Sequence, residues 1–366
     1  MDLCEQSPSY VRAIAPYLPG KPISELAREM GLKEKSIVKL ASNENPLGVS
    51  PRAKAAIKKA MGELGRYPDG SAFDLKAALA KRYKVPEECI VVGNGSNDLL
   101  EMAAAVFLAP GRSAVYSQHA FAVYPLATQS RGARSIVVPA RNYGHDLDAM
   151  AAAIAPDTRV VFIANPNNPT GTFVPGAELE AFIARAPREV AVLVDEAYTE
   201  YLPRELRYDS VAWLKKYPNF ILTRTFSKVY GLAGLRVGFG LMKPEVAELL
   251  NRVRQPFNVN SLALAAATAA LGDAKFVAKS TQMNRSGMAA LERSLKRLGL
   301  EYIPSCANFV TFRVPGAGEV YEKLLRRGVI VRPLAGYGMP EHLRVTVGTP
   351  RENARFLEAL KAALGY

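Results

Sequence analysis

Short runs rich in Val, Ile or Phe alternate with Ala-rich helical segments through the first two thirds of the chain, and this alternation constrains the fold more than any other feature. A strand predicted over 89–92 precedes a helix predicted over 97–108, and further strands are predicted over 134–138, 159–164, 190–194 and 220–223. Strands that alternate with helices form a mostly parallel sheet with helices on both faces. In such sheets, ligands bind beyond the carboxyl ends of the strands.

The C-terminal third has a different pattern, which predicts a smaller α+β domain. Helices are predicted over 281–298 and 352–364, and strands over 309–314, 329–331 and 343–347. A length of 366 residues also fits about two domains. We therefore expect an N-terminal arm with part of the small domain (1–45), a large domain (46–265) and a C-terminal small domain (266–366).

The charge of the chain is strongly positive but is not concentrated in one segment. The net charge is +13, and Lys and Arg are spread among acidic residues along the chain. Nucleic-acid binders usually gather basic and aromatic side chains on one surface, so no nucleic-acid partner is expected. A basic protein can instead steer small anions, such as phosphates and dicarboxylates, toward a cleft.

The positions of cysteine and histidine argue against a metal centre. None of the three cysteines lies in a CxxC pair, and the three histidines are equally scattered. The longest nearly apolar stretch, 261–271, is too short for a membrane span, and no secretory signal is visible at the N-terminus. We therefore expect a cytoplasmic protein with free thiols and no membrane partner.

A lysine follows one of the predicted strands, on a turn rich in serine and glycine. The segment reads TFSK at 225–228, and Arg236 follows it closely. A partly desolvated lysine amine can form a Schiff base with a carbonyl, and Ser227 with Arg236 could hold a phosphate monoester. Lys228 could equally be an ordinary surface residue in a loop, and TFSK alone leaves both interpretations open.

Polar residues follow three other predicted strands. Asp195 comes directly after the strand over 190–194, where it can either cap a helix or pair with a protonated ring nitrogen. NPNNPTG follows another strand, and its Asn168 can donate an amide hydrogen bond to a ring oxygen. GNGSN at 93–97 joins a strand to a helix N-terminus, where free amides favour a phosphate, although such a turn can also serve only as a cap.

These motifs, taken together and in order, resemble fold-type I enzymes that use pyridoxal phosphate, and among them the histidinol-phosphate aminotransferase family. The segments that carry the resemblance are ASNENPLG at 41–48, RYPDG at 66–70, NPNNPTG at 165–171, DEAY at 195–198 and TFSK at 225–228. The resemblance extends over nearly the whole chain. It implies an α/β fold, in which a large domain holds a mostly parallel mixed sheet between helices and a smaller α+β domain follows, with pyridoxal phosphate as the cofactor.

The resemblance also implies the contacts of the cofactor. Lys228 would hold pyridoxal phosphate covalently and move a proton during the reaction, and Asp195 would keep the ring nitrogen protonated. Tyr198 and Asn168 would hydrogen-bond the phenolic oxygen of the ring. The residues implied as phosphate ligands are Ser96, Asn97, Thr225, Ser227 and Arg236.

Two aromatic residues complete the implied cofactor site. Phe121 occupies the position at which the family stacks an aromatic side chain on the ring, often a tyrosine, so a polar role for that position is lost here. Tyr67, in RYPD, matches the residue that reaches the phosphate bound by the other subunit. The resemblance therefore implies a homodimer with composite active sites, although Tyr67 could also pack locally in its own turn.

The resemblance places a further set of residues around the substrate. Arg344 matches the arginine that binds the α-carboxylate of amino acids, and the other implied substrate residues are Tyr17, Asn43, Asn308 and Arg332. Histidinol phosphate has no carboxylate, so its phosphate would use the arginines that otherwise hold glutamate. Paired arginines can accept either anion.

The predicted activity is reversible amino transfer from L-histidinol phosphate to 2-oxoglutarate, which gives imidazole acetol phosphate and L-glutamate. An aromatic amino-acid aminotransferase acting on phenylalanine or tyrosine is the alternative, because a pocket for imidazole nearly fits a phenyl ring. A binding protein without turnover is disfavoured, because Lys228 and Asp195 are both present. Decarboxylation and racemisation, which use the same lysine and aspartate, stay open.

Overall fold

The computed structural model describes residues 2–366, so Met1, the first residue of the predicted arm, lies outside the described residues. The strands within this range are β1 (Val38–Lys39), β2 (Ile90–Gly93), β3 (Ser113–Ser117), β4 (Arg134–Val138), β5 (Thr158–Ala164), β6 (Ala191–Asp195), β7 (Phe220–Thr225), β8 (Gly238–Leu241), β9 (Tyr302–Ile303), β10 (Phe309–Arg313), β11 (Val329–Ile330), β12 (Arg332–Pro333) and β13 (His342–Thr346).

Helices separate most of these strands. They are α1 (Leu3–Gln6), α2 (Ser9–Arg12), α3 (Ile23–Met30), α4 (Pro51–Ala60), α5 (Phe73–Tyr83), α6 (Ser96–Phe107), α7 (Val123–Ser130), α8 (Leu147–Ala152), α9 (Gly176–Arg185), α10 (Pro244–Val253), α11 (Ser261–Leu271), α12 (Ala274–Arg297), α13 (Ala317–Arg326) and α14 (Pro350–Leu364).

A seven-stranded sheet forms the centre of the larger part, in the order β2-β8-β7-β6-β5-β3-β4. Only β8 runs antiparallel to its neighbours in this sheet of the described residues, and the other pairs are parallel. Both faces are buried because alternate residues of a strand point to opposite sides. In β5, Val161 and Ile163 pack in one core, whereas Val160 and Phe162 pack in the other. The predicted α/β class with a mostly parallel mixed sheet between helices is confirmed.

The two faces carry different helices. Helices α4, α5, α9 and α11 supply buried side chains to one core, and α6, α7 and α10 supply them to the other. Helix α11 packs along α4 and α5, and Leu271, at its end, still belongs to the first core. No single helix of residues 2–366 is long and apolar enough to cross a membrane; α11 and α12 pass that test only as a pair, bent by 82°.

A smaller unit follows, built on an antiparallel sheet in the order β12-β13-β10-β9. Helices α12, α13 and α14 cover this sheet, and their apolar faces form a separate core with it. Strand β1 pairs in parallel with β11, so a segment that precedes the large sheet joins this unit. Helix α14 begins with a capping box, in which Thr349 and Glu352 bond each other's backbone amides.

The carboxyl ends of β5, β6 and β7 lie side by side in the large sheet because these strands are adjacent and parallel. Ala164, Asp195 and Thr225 are their last residues. The chain continues from each of them into a segment rich in polar residues, so the fold gathers those segments at one edge of the sheet.

Candidate active site

A cavity of about 170 Å³ lies at this edge of the sheet. Every residue implied as a cofactor contact, except Tyr67, lines it. The lining residues are Ser96, Asn97, Phe121, Ala164, Pro166, Asn168, Asp195, Ala197, Tyr198, Thr225, Ser227, Lys228 and Arg236. Residues from five segments that are far apart in sequence therefore meet in one place.

Lys228 lies three residues after the end of β7, and its amine projects into the cavity. Its Nζ donates a hydrogen bond to the carbonyl oxygen of Ser42 at 3.3 Å and lies 5.7 Å from the centre of the Tyr198 ring. Burial, with the charge of Arg344 as a second cause, lowers the pKa of Lys228 to about 8. An appreciable fraction of the amine is therefore uncharged near neutral pH, which a nucleophilic lysine requires.

Asp195 is the last residue of β6, and its carboxylate is buried with 5% of the residue exposed. The Thr223 hydroxyl donates to its Oδ1 at 3.2 Å. Burial raises the pKa of Asp195 to about 6, and within residues 2–366 no cationic side chain forms an ion pair with it. A protonated ring nitrogen beside this carboxylate would supply the missing positive charge.

Asn168 and Tyr198 can both donate a hydrogen bond into the cavity. Asn168 accepts a hydrogen bond from Arg344 through its Oδ1, which leaves its NH₂ group to donate. The Tyr198 hydroxyl accepts a hydrogen bond from Asn43 Nδ2 at 2.9 Å, and burial raises the pKa of Tyr198 to about 12, so its proton is retained. Two donors at one end of the cavity suit a phenolic oxygen.

The opposite part of the cavity contains a group of anion-binding side chains. Arg236 Nη1 donates to Ser227 Oγ at 3.2 Å, and the amide of Ser227 donates to Thr225 Oγ1 at 3.1 Å. Ser96 and Asn97 begin α6, whose first backbone amides have no intrahelical acceptor. Hydroxyls, free amides and a guanidinium group form the donor set that a phosphate monoester requires.

Glycine at position 95 is favoured by its left-handed backbone conformation and lies close to this guanidinium group. Gly95 has φ +78°, and a Cβ atom there would lie 2.4 Å from Arg236 Nη2. Arg236 is itself in the left-handed region, at φ +56°. The turn that precedes α6 and the turn that follows β7 therefore pack closely against each other.

Two arginines of the smaller unit lie beside the cavity. Arg332 and Arg344 are direct partners in the antiparallel pair of β12 and β13, so their side chains leave the same face of that sheet. Like charges placed opposite each other are unfavourable unless an anion accompanies them. The site therefore has a second position for an anionic group.

The two arginines have different partners. Arg344 is 5% exposed and donates to Asn168 Oδ1 and to the carbonyl oxygen of Ala41, the latter at 2.8 Å. Arg332 is more accessible, and its Nη2 donates to the carbonyl oxygen of Leu18 at 2.9 Å and to the Tyr17 hydroxyl at 3.4 Å. Arg332 thereby holds the N-terminal arm against the smaller unit.

Asn43 and Asn308 lie behind the cavity and do not line it. Asn308 Nδ2 donates to the carbonyl oxygen of Asn43 at 3.0 Å, and the amide of Asn43 donates to Thr346 Oγ1 at 2.9 Å. Asn43 has φ +56°, a conformation that asparagine tolerates better than most residues. Both side chains are buried, and through Asn43 they fix the position of Tyr198.

Tyr67 lies away from the cavity of its own chain. It is 82% exposed, and its ring stacks on Phe257 with centroids 4.8 Å apart. Other large apolar side chains of the same segment are also exposed: Met61, Leu64 and Phe73.

A buried ion pair behind Asp195 was not predicted from the sequence. Arg224 donates to Glu196 Oε2 through Nε at 3.0 Å and through Nη2 at 2.7 Å, and the side chains are 13% and 1% exposed. Glu196 follows Asp195 and Arg224 precedes Thr225, so the pair joins the ends of β6 and β7. The two residues are 28 positions apart in the chain, and no local pattern marks them as partners.

Comparison with known proteins gives one consistent result over the full length. The family of class I and II aminotransferases matches residues 35–360. A histidinol-phosphate aminotransferase of Nitrosospira multiformis is 62% identical over 365 residues, which covers 100% of this chain and 93% of the relative. A histidinol-phosphate aminotransferase of Dechloromonas aromatica is also 62% identical, with 100% of both chains covered.

Solved structures give the same fold. The crystal structure of histidinol-phosphate aminotransferase from Sinorhizobium meliloti in complex with pyridoxal-5'-phosphate superposes with a TM-score of 0.90 at 28% identity. The match covers 98% of this chain and 97% of that one.

Proposed function

This chain belongs to the class I and II aminotransferases, and from that premise we propose that it transfers an amino group between L-histidinol phosphate and 2-oxoglutarate. The products are imidazole acetol phosphate and L-glutamate. The observation that carries the proposal is the presence of two anion-binding positions near one lysine. The hydroxyls and Arg236 form the first position, and Arg332 and Arg344 form the second.

The first position and its surroundings fit pyridoxal phosphate. Asp195 is a buried carboxylate without a cationic partner, and Asn168 with Tyr198 offers donors for a phenolic oxygen. Phe121 and Ala197 line the cavity with apolar surface suited to the faces of the ring. When bound, pyridoxal phosphate supplies an electron sink that allows a proton to leave the carbon next to the transferred nitrogen.

The residues of the chain have separate tasks in this reaction. Lys228 holds the cofactor and afterwards moves the proton at the substrate's Cα, which its lowered pKa allows. Asp195 keeps a proton at the ring nitrogen. The phosphate ligands fix the ring against Asp195, so that the distance between Lys228 and the substrate stays constant.

The second position serves both substrates. Histidinol phosphate presents a phosphate where glutamate presents a carboxylate, and two guanidinium groups can bind either anion. Relatives with 57–62% identity over nearly the whole chain are named histidinol-phosphate aminotransferases, which favours this substrate over phenylalanine or tyrosine.

We further propose that the active unit is a homodimer with composite sites. The exposed pair of Tyr67 and Phe257, with Met61, Leu64 and Phe73 nearby, forms an apolar surface of the kind that subunit contacts cover. In a dimer, the Tyr67 hydroxyl would reach the phosphate held by the other chain. This role explains why Tyr67 does not line the cavity of its own chain.

We assign the reaction to histidine biosynthesis in the cytoplasm. The support is the chemistry of the proposed substrate and the three cysteines, each of which is free in the structure.

The experiment that tests the activity uses histidinol phosphate as the sole amino donor and measures glutamate formed from 2-oxoglutarate. Borohydride reduction followed by peptide mapping should attach the cofactor to Lys228 alone. Lys323→Ala, which changes an exposed lysine on α13, is the matched control and should leave the rate unchanged. Attachment to another lysine, or no glutamate formed by the cofactor-loaded protein, would refute the proposal.

A further inference from the structure

A tyrosine lies on the connection between the two substrate arginines. Strand β12 carries Arg332 and strand β13 carries Arg344, and the chain between them forms a short 3₁₀ turn over Ala335–Tyr337. The Tyr337 ring is half-buried against a small apolar cluster that includes Leu334 and Met339. The turn that joins the two arginine strands thus carries an aromatic hydroxyl.

The backbone of Tyr337 is held from both parts of the molecule. Its amide donates to the carbonyl oxygen of Leu334 at 2.9 Å, within the turn. Its carbonyl oxygen accepts a hydrogen bond from Nδ1 of His119 at 2.9 Å, and His119 belongs to the large sheet's side of the site and is 7% exposed. The backbone of this turn is thus held both within the smaller unit and against the larger one.

The Tyr337 side chain faces the substrate arginines. It lines a cavity of about 580 Å³ together with Tyr17 and Arg332, and this cavity extends to Ala120 and Ala122, the neighbours of Phe121. Burial raises the pKa of Tyr337, while the guanidinium groups of Arg344 and Arg332 lower it, and the net direction is upward. The hydroxyl therefore keeps its proton at neutral pH and can donate it to an anion.

Hydrogen-bond donors of two kinds, guanidinium N–H groups and the Tyr337 hydroxyl, are grouped at this position. Both Nη atoms of Arg344 already donate, one to Asn168 and one to Ala41, and its buried Nε lacks a partner within residues 2–366. Arg332 uses its Nη2 for the N-terminal arm, and both guanidinium groups keep further N–H donors. A carboxylate presents two oxygens to such a site, whereas a phosphate monoester presents three. The third oxygen of a phosphate can accept from a further donor, and the Tyr337 hydroxyl lies beside the same two arginines.

We propose that Tyr337 is a specificity-determining residue of the substrate site, whose hydroxyl donates to the third terminal oxygen of the substrate's phosphate. The proposal rests on the proposed function, since it names the group that distinguishes the phosphate substrate from glutamate in that reaction. Tyr337 then contributes to binding of histidinol phosphate and little to binding of the carboxylate substrates.

The test compares Tyr337→Phe with the unchanged holoenzyme. Loss of a hydrogen bond to a charged group should raise KM for histidinol phosphate by roughly tenfold or more, with kcat nearly unchanged. KM for glutamate, measured in the reverse direction, should change by less than about twofold. Tyr302→Phe removes a hydroxyl from β9 of the same unit and should leave both values unchanged. Competitive inhibition by inorganic phosphate should weaken in Tyr337→Phe, whereas inhibition by succinate should not.

The outcomes separate this proposal from the proposed function. If KM rises equally for both substrates, or for neither, the discriminating role of Tyr337 is wrong. If the unchanged enzyme does not turn over histidinol phosphate, the proposed function fails. In that case the comparison of phosphate with succinate still decides the role of Tyr337: equal weakening of both inhibitors, or of neither, overturns it.

Discussion

Replacing Asp195 with asparagine should stabilise the cofactor-free chain and, at the same time, remove its activity. Asparagine has nearly the same shape, and its Oδ1 can still accept the hydrogen bond from the Thr223 hydroxyl. The replacement removes the charge and one of the two acceptor oxygens, which also serve the backbone amide of Ala197. It cannot hold a proton at the ring nitrogen, so kcat of the holoenzyme should fall by several orders of magnitude.

The size of the stabilisation follows from the pKa of the carboxyl group. Burial raises the pKa of Asp195 from 3.8 to about 6. At about 1.4 kcal/mol for each pKa unit, keeping this group ionised in the folded chain at pH 7 costs about 3 kcal/mol. Because Asp195 is 5% exposed, solvent screens little of this cost. Asp195→Asn should recover a large part of it.

The same reasoning fixes the pH dependence. Since the folded pKa lies above the unfolded value, the folded chain holds this proton more tightly, and the carboxyl group weakens the fold as the pH rises from about 4 to about 6. The stability difference between Asp195→Asn and the unchanged chain should therefore be near zero at pH 4 and reach its full size above pH 6.

Urea unfolding of the two cofactor-free proteins at a series of pH values measures this difference. Asp148→Asn removes a carboxylate that is 78% exposed and should shift the free energy of unfolding by less than about 0.5 kcal/mol at every pH. The reasoning is refuted if Asp195→Asn is the less stable protein at pH 7, or if its stability difference does not depend on pH.

Three further predictions concern the anchor, the dimer and the buried ion pair. Lys228→Ala should lose turnover yet still bind pyridoxal phosphate through its phosphate, which equilibrium dialysis measures. Tyr67→Phe should weaken cofactor binding by roughly 1.5–3 kcal/mol. Co-expression of Tyr67→Ala with Lys228→Ala should restore activity, because one site of each heterodimer is then intact. Proven heterodimers without activity would show that Tyr67 serves its own chain. Arg224→Met should lower the free energy of unfolding by about 3–5 kcal/mol because it leaves Glu196 buried and unpaired. Adding Glu196→Leu should recover much of that loss. A double variant as unstable as Arg224→Met would contradict this prediction.

Strands with continuous apolar sequence could be predicted closely from the chain, but a glycine-rich strand could not. The strand predicted over 159–164 nearly coincides with β5, whereas β3, SAVYS, and β8, GFGL, were not predicted. Glycine disfavours strands locally. Here it is required, because a Cβ at Gly238 would lie 2.5 Å from the amide nitrogen of Ser96. This requirement comes from the packing of β8 against the anion-binding turn, which the local sequence does not show.

The start of the long helix α12 was predicted too late, although a local signal exists. The helix was predicted from 281 and begins at Ala274. Asp273 caps it, with its carboxylate accepting a hydrogen bond from the amide of Phe276 at 3.2 Å. Residues 274–280, AKFVAKS, belong to the same helix, so the cap was the better guide to its start.

Some residues of the candidate site could also be predicted from the sequence, and others could not. Lys228 and Asp195 follow strands in recognisable motifs, and the parallel sheet brings the ends of those strands together. The contact of Asn43 with Tyr198 joins residues 155 positions apart, and Tyr337 gains its surroundings only when β12 and β13 pair. Such roles depend on tertiary contacts, which a motif cannot indicate.

The central claim is that the chain prefers histidinol phosphate to aromatic amino acids as its amino donor. The most direct measurement is kcat/KM for histidinol phosphate, phenylalanine and tyrosine, each with 2-oxoglutarate and the same preparation of holoenzyme. With a phosphate held by Arg332, Arg344 and Tyr337, kcat/KM for histidinol phosphate should exceed the other two by at least about tenfold, the worth of one hydrogen bond to a charged group. An equal or higher kcat/KM for phenylalanine or tyrosine would contradict the claim and assign the enzyme to the aromatic amino acids.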